Sequence, residues 1–402
     1  MDSLYKDGCP VCAGKPKEVY HSPGLTKMVE RVLRRIQGGF DVEHKIDPDL
    51  FTDSCTALNE AVDRAVKLSV KWGKPDKGFI RELKRNNAVF AAFKAHREQN
   101  DLAGLLVDDD GNARSFDSFR MAAAPVIGEY NVNWLQTEYA TAVRVARTAV
   151  RFKQYEKDGD LYPNGEWLPS RAAEPRMSHR KYYHTVRRLT DPWWETHYPG
   201  CVWGCQCDMR NTDKPITHIG DNPAAPGAEP TTVPPSEEAG VRSPGLSRNP
   251  ARSGELFSRD HPYFTSAYPG AEKAVAKKMQ TIDVKQARKE VQEWAKREVV
   301  GKSFLNQEIG KEIEITSTGI KEALNQPHKY IREKNEAIRN IKQIIHEAHR
   351  VLYRPDDKGN QMVVGYHYLE FELAGEKSYI VIRETKDGRL MFYSVVDKIK
   401  GR

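Results

Sequence analysis

Apolar residues in the first part of the chain recur at helical spacing. Between residues 24 and 36, Leu25, Met28, Val29, Val32 and Leu33 follow the i, i+3, i+4, i+7, i+8 rule of an amphipathic helix. A second stripe, Leu58, Val62, Ala65, Val66 and Val70, follows Asp53-Ser54, a pair suited to capping a helix start. Phe79, Leu83, Val89, Phe90 and Phe93 mark a third helix near 76–98. The acidic run Asp108-Asp-Asp-Gly111 lacks the calcium-loop spacing and reads as a solvated turn. Helical character returns from about 113 to 156, where Pro125 is expected to kink or break it.

The last hundred residues have a different rhythm. Glu312-Ile-Glu-Ile-Thr316 alternates like a strand. Ser317 or Thr318 caps a short helix reaching Leu324. A longer helix is expected from Pro327 or His328 to about Leu352, with Ile331, Ile338, Ile341, Ile344, Ile345 and Ala348 as its stripe. Three strands follow, Met362 to Leu373, Ser378 to Glu384 and Leu390 to Val396, separated by the hairpin signals Ala374-Gly375-Glu376 and Lys386-Asp387-Gly388. Between the two halves, prolines at 215, 223, 226, 230, 234, 235, 244 and 250 sit among Gly, Ala and Ser, a composition that buries too little to order itself.

The pattern therefore predicts a multidomain chain. Residues 1–213 form a mainly α region ending in a loop-rich knot, and 214–255 form a Pro-rich linker. Residues 256–302 form a docking arm and a charged helix, and 303–402 a small α+β domain in which helices precede an antiparallel sheet. The length of 402 residues suits two or three domains. A mean hydropathy of −0.69 and 30% charged residues mean much exposed chain. The net charge of +7 fits proximity to nucleic acid and equally a solvated basic surface. No stretch of 18 apolar residues exists to cross a membrane, and the first residues carry no apolar signal-peptide core.

The knot, Glu174 to Arg210, crowds His179, His184, His197, Trp193, Trp194, Cys201, Cys205 and Cys207 into one segment. Cys9-Pro-Val-Cys12 has the form of a zinc knuckle, whose turn points two thiolates at one ion. Cys205 and Cys207, with His179, are candidates to complete a shared zinc site; partly buried thiols without metal are the other reading. Arg144, Arg147 and Arg151 share one helical face, placed either for packaged DNA or an acidic partner subunit, or simply solvated.

Four elements of the knot occur in order: Arg176-x-x-His179, Asp191-Pro-Trp-Trp194, Pro199, and Trp203-Gly-Cys-Gln-Cys207. This resembles the Mu-type phage minor head proteins, whose pattern runs R-x-x-H, D-x-x-W, P-x-x-x-G-x-C-R-C. Gln206 stands where that family usually has Arg, and Gly200-Cys201-Val202 where Pro or Asn is expected. Thr137-Glu138-Tyr139 is similar to the helix preceding the knot in that family, so the resemblance covers roughly residues 110–213. It implies a head-morphogenesis protein of a phage or prophage, found in the virion or the host cytoplasm, with portal and capsid proteins as partners.

The order of elements after 303, the Ser317-x-Gly-Ile-Lys-Glu322 start and the late Tyr393 strand are similar to the barnase/EndoU/colicin/RelE-like nuclease superfold. That resemblance implies metal-independent ribonuclease chemistry, an RNA substrate and an immunity protein. Such cleavage needs a base, an acid and a cation for the phosphorane. Lys321, Arg383 and Arg389 are candidates for phosphate, and Glu322 either acts as base or holds Lys321. His367 is the candidate acid or base, His328 a further one, and Tyr393 stacks or orients a base. A C-terminal domain that only binds nucleic acid or a partner is the alternative, and a zinc-binding adaptor the second alternative.

Overall fold

The structure, a computed structural model, describes residues 4–5, 20, 22–69, 76–172, 175, 177–217, 243–357 and 359–399. Cys9, Cys12 and Arg176 lie outside the described residues. The chain divides into two compact units, Met1–Lys278 and Met279–Arg402.

The first unit is built on five long helices. α1 (Leu25–Gln37) buries Met28, Val32, Leu33 and Ile36. α2 (Pro48–Ser69) begins five residues before the expected Asp53-Ser54 cap. The start is made by Asp47, whose carboxylate accepts the amides of Asp49 and Leu50 at 2.9 and 3.1 Å. Pro48 takes the first helical position, where no N–H is needed. Asp53 and Ser54 consequently fall inside the helix and are buried. α3 (Lys77–Ala103) is capped by Asp76, which accepts from Gly78 and Phe79.

α4 (Phe116–Gly128) runs through Pro125 without breaking, contrary to the expectation from sequence. Proline removes one ladder bond there but does not end the helix. The interruption comes later, as a π turn over Glu129–Trp134 that leads into α5 (Leu135–Lys157).

A buried ion pair links these helices. Lys94 Nζ lies 2.6 Å from Glu138 Oε2, and neither side chain has any exposure. Glu138 Oε1 accepts hydrogen bonds from Tyr5 and Tyr263, both at 2.8 Å. Beside them Asn131 donates to buried Glu98. Burial pushes the Glu98 carboxyl up to about 8 against the opposing pull of Lys94.

From Ser243 the chain lies against this unit. Ser243 N donates to Cys201 O at 2.9 Å, Asn249 N to Glu195 O at 2.7 Å, and Tyr198 OH to Leu246 O at 3.1 Å. Residues 243–255, which composition placed in the linker, are thus folded, as is the arm that follows. Phe257 and Tyr263 pack on Phe90 at ring distances of 4.5 and 5.3 Å. The physical reason is local: Asn249-Pro250 and His261-Pro262 are cap and first-position pairs, so these prolines begin single helical turns.

α6 (Ala271–Glu298) starts in the first unit and carries Val291 and Ala295 into the core of the second. The second unit is an α+β layer pair. Its strands are β4 (Ser303–Asn306), β5 (Lys311–Glu314), β6 (His349–Pro355), β7 (Val363–Leu373), β8 (Glu376–Thr385) and β9 (Leu390–Val396), in the order β4-β5-β9-β8-β7-β6. All neighbours are antiparallel except β5 and β9. The helices are α7 (Ser317–Asn325), α8 (Ile331–Ala337) and α9 (Ile341–Glu347). Their Ile320, Leu324, Ile338, Ile341 and Ile345 pack with Leu369, Ile380, Ile382 and Phe392 of the sheet. At Gly319 a Cβ would stand 2.0 Å from Phe392 O, so only glycine lets α7 lie this close to β9.

Three expectations change here. The helix expected to reach Leu352 is α8 and α9 joined by a 3-10 turn at Ile338–Asn340, and it stops before Ala348. His349 to Pro355 is instead an edge strand, so His349 is not a helix residue. The cap of α7 is Thr316, whose Oγ1 accepts Gly319 N at 3.0 Å. Lys334 closes the other end of α7: fully buried, it donates to Ala323 O and to Gln326 O. Burial lowers its ammonium to about 8.

Lys94→Met strips the buried Glu138 side chain of its cation, and should cost the first unit about 3–5 kcal/mol. The check is a urea titration, in which Lys94→Met lowers the midpoint of the first unit's transition. Lys94→Met with Glu138→Gln, which removes the charge but keeps an acceptor for Tyr5 and Tyr263, should recover part of the loss.

Candidate functional site

A small antiparallel sheet that the sequence did not announce frames the knot. β1 (Asn164–Leu168) pairs with β2 (Val186–Arg188) on one side and β3 (Asp208–Thr212) on the other. (These strands precede β4 in the chain.) Trp167, on β1, and Trp194 are fully buried at it, while Trp203, also fully buried, stacks on Phe257. Gly165 is the reason Trp194 fits: a Cβ there would lie 2.9 Å from the indole Cζ2. The indole N–H of Trp194 donates to Arg188 O at 3.0 Å, and Asp191 accepts Trp193 N at 2.8 Å to start the 3-10 turn Pro192–Glu195. A buried carboxylate, Glu166, ties the sheet together through His184, Arg210 and Lys214.

His179 sits on a single helical turn, Met177–Arg180, with 1% of its surface exposed. Its Nδ1 lies 3.6 Å from Cys205 Sγ and 3.7 Å from Cys207 Sγ. These three ligand atoms lie within 4.8 Å of one another, the arrangement of a metal-binding group. Tetrahedral zinc with ordinary bond lengths separates a ring nitrogen from a thiolate by about 3.6 Å, so the spacing fits that ion. Cys201 is fully buried, and its Sγ is 3.9 Å from His179 Nε2, on the other side of the ring. It stands where a metal-bound histidine places its outer hydrogen-bond acceptor. Sequence reasoning passed over Cys201 as a partner of the ring, although its C-x3-C-x-C spacing with Cys205 and Cys207 was available.

Burial pulls the His179 imidazole down, but the Cys205 and Cys201 sulfurs push it up to about 11. The hydrogen bond from Cys207, with help from His179, holds the Cys205 thiol well below its usual value; Cys207 moves the opposite way. Of the five residues assigned to metal, the structure brings together His179, Cys205 and Cys207; Cys9 and Cys12 lie outside the described residues.

The five residues assigned to catalysis occupy both faces of the second sheet. Lys321 and Glu322 are on α7, which packs on β9 from the covered face; Glu322 accepts from Gln326 at 2.9 Å. His367 pairs across the sheet with Ile382 and is in register with Phe392, so it also faces the helix side. It is buried there with Nε2 3.1 Å from Glu384 and its ring 4.8 Å from Tyr353. Burial lowers its imidazole, with Glu384 opposing. Gly365 makes room for Tyr353, whose hydroxyl would otherwise stand 2.6 Å from a Cβ.

Arg383 and Tyr393 are on the open face. The Arg383 guanidinium stacks on the Tyr393 ring at 4.1 Å, and Tyr366 adds a third member at 5.8 Å from Tyr393. Arg354, paired with Tyr366 on β6, lies over Tyr368 at 5.9 Å. A sheet therefore separates Lys321 from Arg383, and these two candidates for phosphate do not meet in one site. Arg389 pairs with Asp387 at 2.8 Å, and His328 accepts the Tyr330 amide.

Comparison with known proteins adds two findings. Residues 282–393 match the family described as large polyvalent protein-associated domain 3. Over 106 residues, 26% of this chain, the sequence is 30% identical to the putative capsid assembly protein F of Escherichia phage Mu. The aligned part spans 22% of that protein's length. No solved structure matches the chain. None of the described helices is long and apolar enough to cross a membrane.

Proposed function

We propose that the chain is a phage head-morphogenesis protein that works with portal and capsid proteins, in the virion or in the host cytoplasm during assembly. The observation that supports this is the 30% identity with the capsid assembly protein of phage Mu. Co-expression with the portal and major capsid proteins of a Mu-type phage tests the reading. The chain should sediment with assembled heads; its complete absence from them would end the proposal.

Within that role, zinc is the ion we assign to the knot. His179, Cys205 and Cys207 supply three ligands, and Cys9 or Cys12 the fourth. Bound zinc would pin the His179 turn to the 205–207 loop and so contribute folding energy. Purified protein should hold one zinc per chain, and Cys205→Ser should release it with a loss on the order of several kcal/mol of stability. Protein without stoichiometric metal returns the cysteines to packed thiols. Metal without head association favours the adaptor reading.

For the second unit, binding of single-stranded RNA on the open sheet face is the reading we adopt over cleavage. Arg383, Tyr393, Tyr366 and Arg354 offer cations and ring faces together, the combination that holds a strand without reading its sequence. Lys321 and His367 are on the far side of the sheet and cannot touch the same phosphate. The full chain in EDTA should retain single-stranded RNA intact. Tyr393→Ala should weaken binding by about 1–3 kcal/mol, the worth of one base stack. RNA cleavage abolished by His367→Ala would establish the ribonuclease instead, and with it the need for an immunity protein.

A further inference from the structure

The arginines of α5 are built into a cavity. Arg144, Arg147 and Arg151 line it together with Arg171, the Pro199-Gly200 turn and the loop from Cys205 to Asp208. Its volume is about 150 Å³. Asp208 is the single carboxylate among the lining residues, and it is already engaged: Arg151 holds one oxygen at 2.6 Å and Arg171 the other at 3.0 Å. Arg151 also donates to Met209 O at 3.0 Å, which fixes it to β3. Arg144 reaches the Cys205 carbonyl at 3.5 Å. Arg147 Nε is buried and has no hydrogen-bond partner among the described residues.

Four guanidiniums around one carboxylate repel one another, and the buried Arg147 Nε–H has no acceptor among the described residues. An oxyanion relieves both deficits. We propose that this cavity binds one phosphate group. A carboxylate presents two oxygens in one plane, whereas a phosphate presents oxygens in several directions and accepts forked donors from more than one arginine at once. The volume is below the roughly 300–1,000 Å³ of pockets that enclose a whole small molecule, so the site takes the charged group and leaves the remainder of its carrier outside. Arg171, with 70% of its side chain exposed, stands at the rim. Both a free phosphate and one carried on a nucleic-acid backbone have this chemistry.

The test uses the full chain carrying Arg383→Ala and Tyr393→Ala, which removes the second unit's sheet face from the measurement. Inorganic phosphate and a dT12 oligonucleotide are titrated separately by calorimetry, each before and after adding Arg144→Gln with Arg147→Gln. At least one probe should bind, and the two Gln substitutions should weaken it by roughly tenfold or more, the worth of one charge-assisted hydrogen bond. Binding of dT12 that falls steeply with salt and is lost in the Gln protein identifies a backbone phosphate. Binding of phosphate alone identifies the free anion. If the Gln protein does not fold, Arg144→Lys with Arg147→Lys keeps the charge, loses the fork, and should still weaken the bound probe. Failure of both probes to bind, or binding unchanged by these substitutions, overturns the proposal.

Discussion

A carboxylate without access to water organises the first unit. Glu138 is on α5, and its partners come from α3 (Lys94), from the single turn after His261 (Tyr263) and from the start of the described chain (Tyr5). Each of these contacts bridges a large sequence separation, and each satisfies a lone pair that burial would otherwise leave costly. Apolar packing alone tolerates a helix sliding by a fraction of a turn; three directed bonds on one carboxylate do not. The position of α5 is thereby set. α5 then carries the arginines of the phosphate cavity and the Arg151 contact to β3, so the knot takes its place from the same carboxylate.

Among the described residues of the second unit no ion pair is fully buried in the way of Lys94 and Glu138. Its core is largely aliphatic, and its main constraints are steric: Gly319 brings α7 onto β9, and Gly365 admits Tyr353 over the end of β7. With helices covering one face, the other retains half-buried tyrosines and arginines that stack on one another. Stacking of Arg383 on Tyr393 holds both side chains in place before any ligand arrives, which lowers the ordering cost of binding.

What the sequence made legible follows from how local each signal is. α1 has clean periodicity and appears where its apolar stripe falls; α3 is buried all round from Asn87 to His96, and its aromatic and leucine positions still marked it as a helix. The ends of α2 and α9 were misplaced for different reasons. Asp47-Pro48 is a start signal that a weaker Asp53-Ser54 pair obscured, while the isoleucine stripe through Ile345 and Ala348 runs unbroken into β6. β1 to β3 are three to five residues long and rich in Arg, Asn and Glu, so neither period nor propensity marks them. His179, Cys205 and Cys207 were legible by residue type, because few other roles gather them. The neighbourhood of Arg383 and Tyr393 was legible from the hairpin turn between them. The separation of Lys321 from that pair was not, since it depends on which face of the sheet the helices cover, and no short pattern encodes that.

The two sites of the first unit share one strip of backbone. Cys205 and Cys207 present their sulfurs to His179, while the same stretch, with Gln206 and Asp208, forms a wall of the arginine cavity. The sulfurs of residues 205 and 207 gather on His179, and the next carboxylate, Asp208, reaches Arg151 and Arg171. A rigid 205–207 loop therefore fixes the carbonyl that Arg144 reaches and the carboxylate that Arg151 and Arg171 share. The converse also holds. Arg151 and Tyr155 anchor the backbone at Met209 from the α5 side, which limits how far the two sulfurs can drift from the imidazole. The coupling is mechanical and short in range: whatever loosens the sulfur cluster widens the cavity, and an anion drawn between the arginines braces the loop that carries the sulfurs.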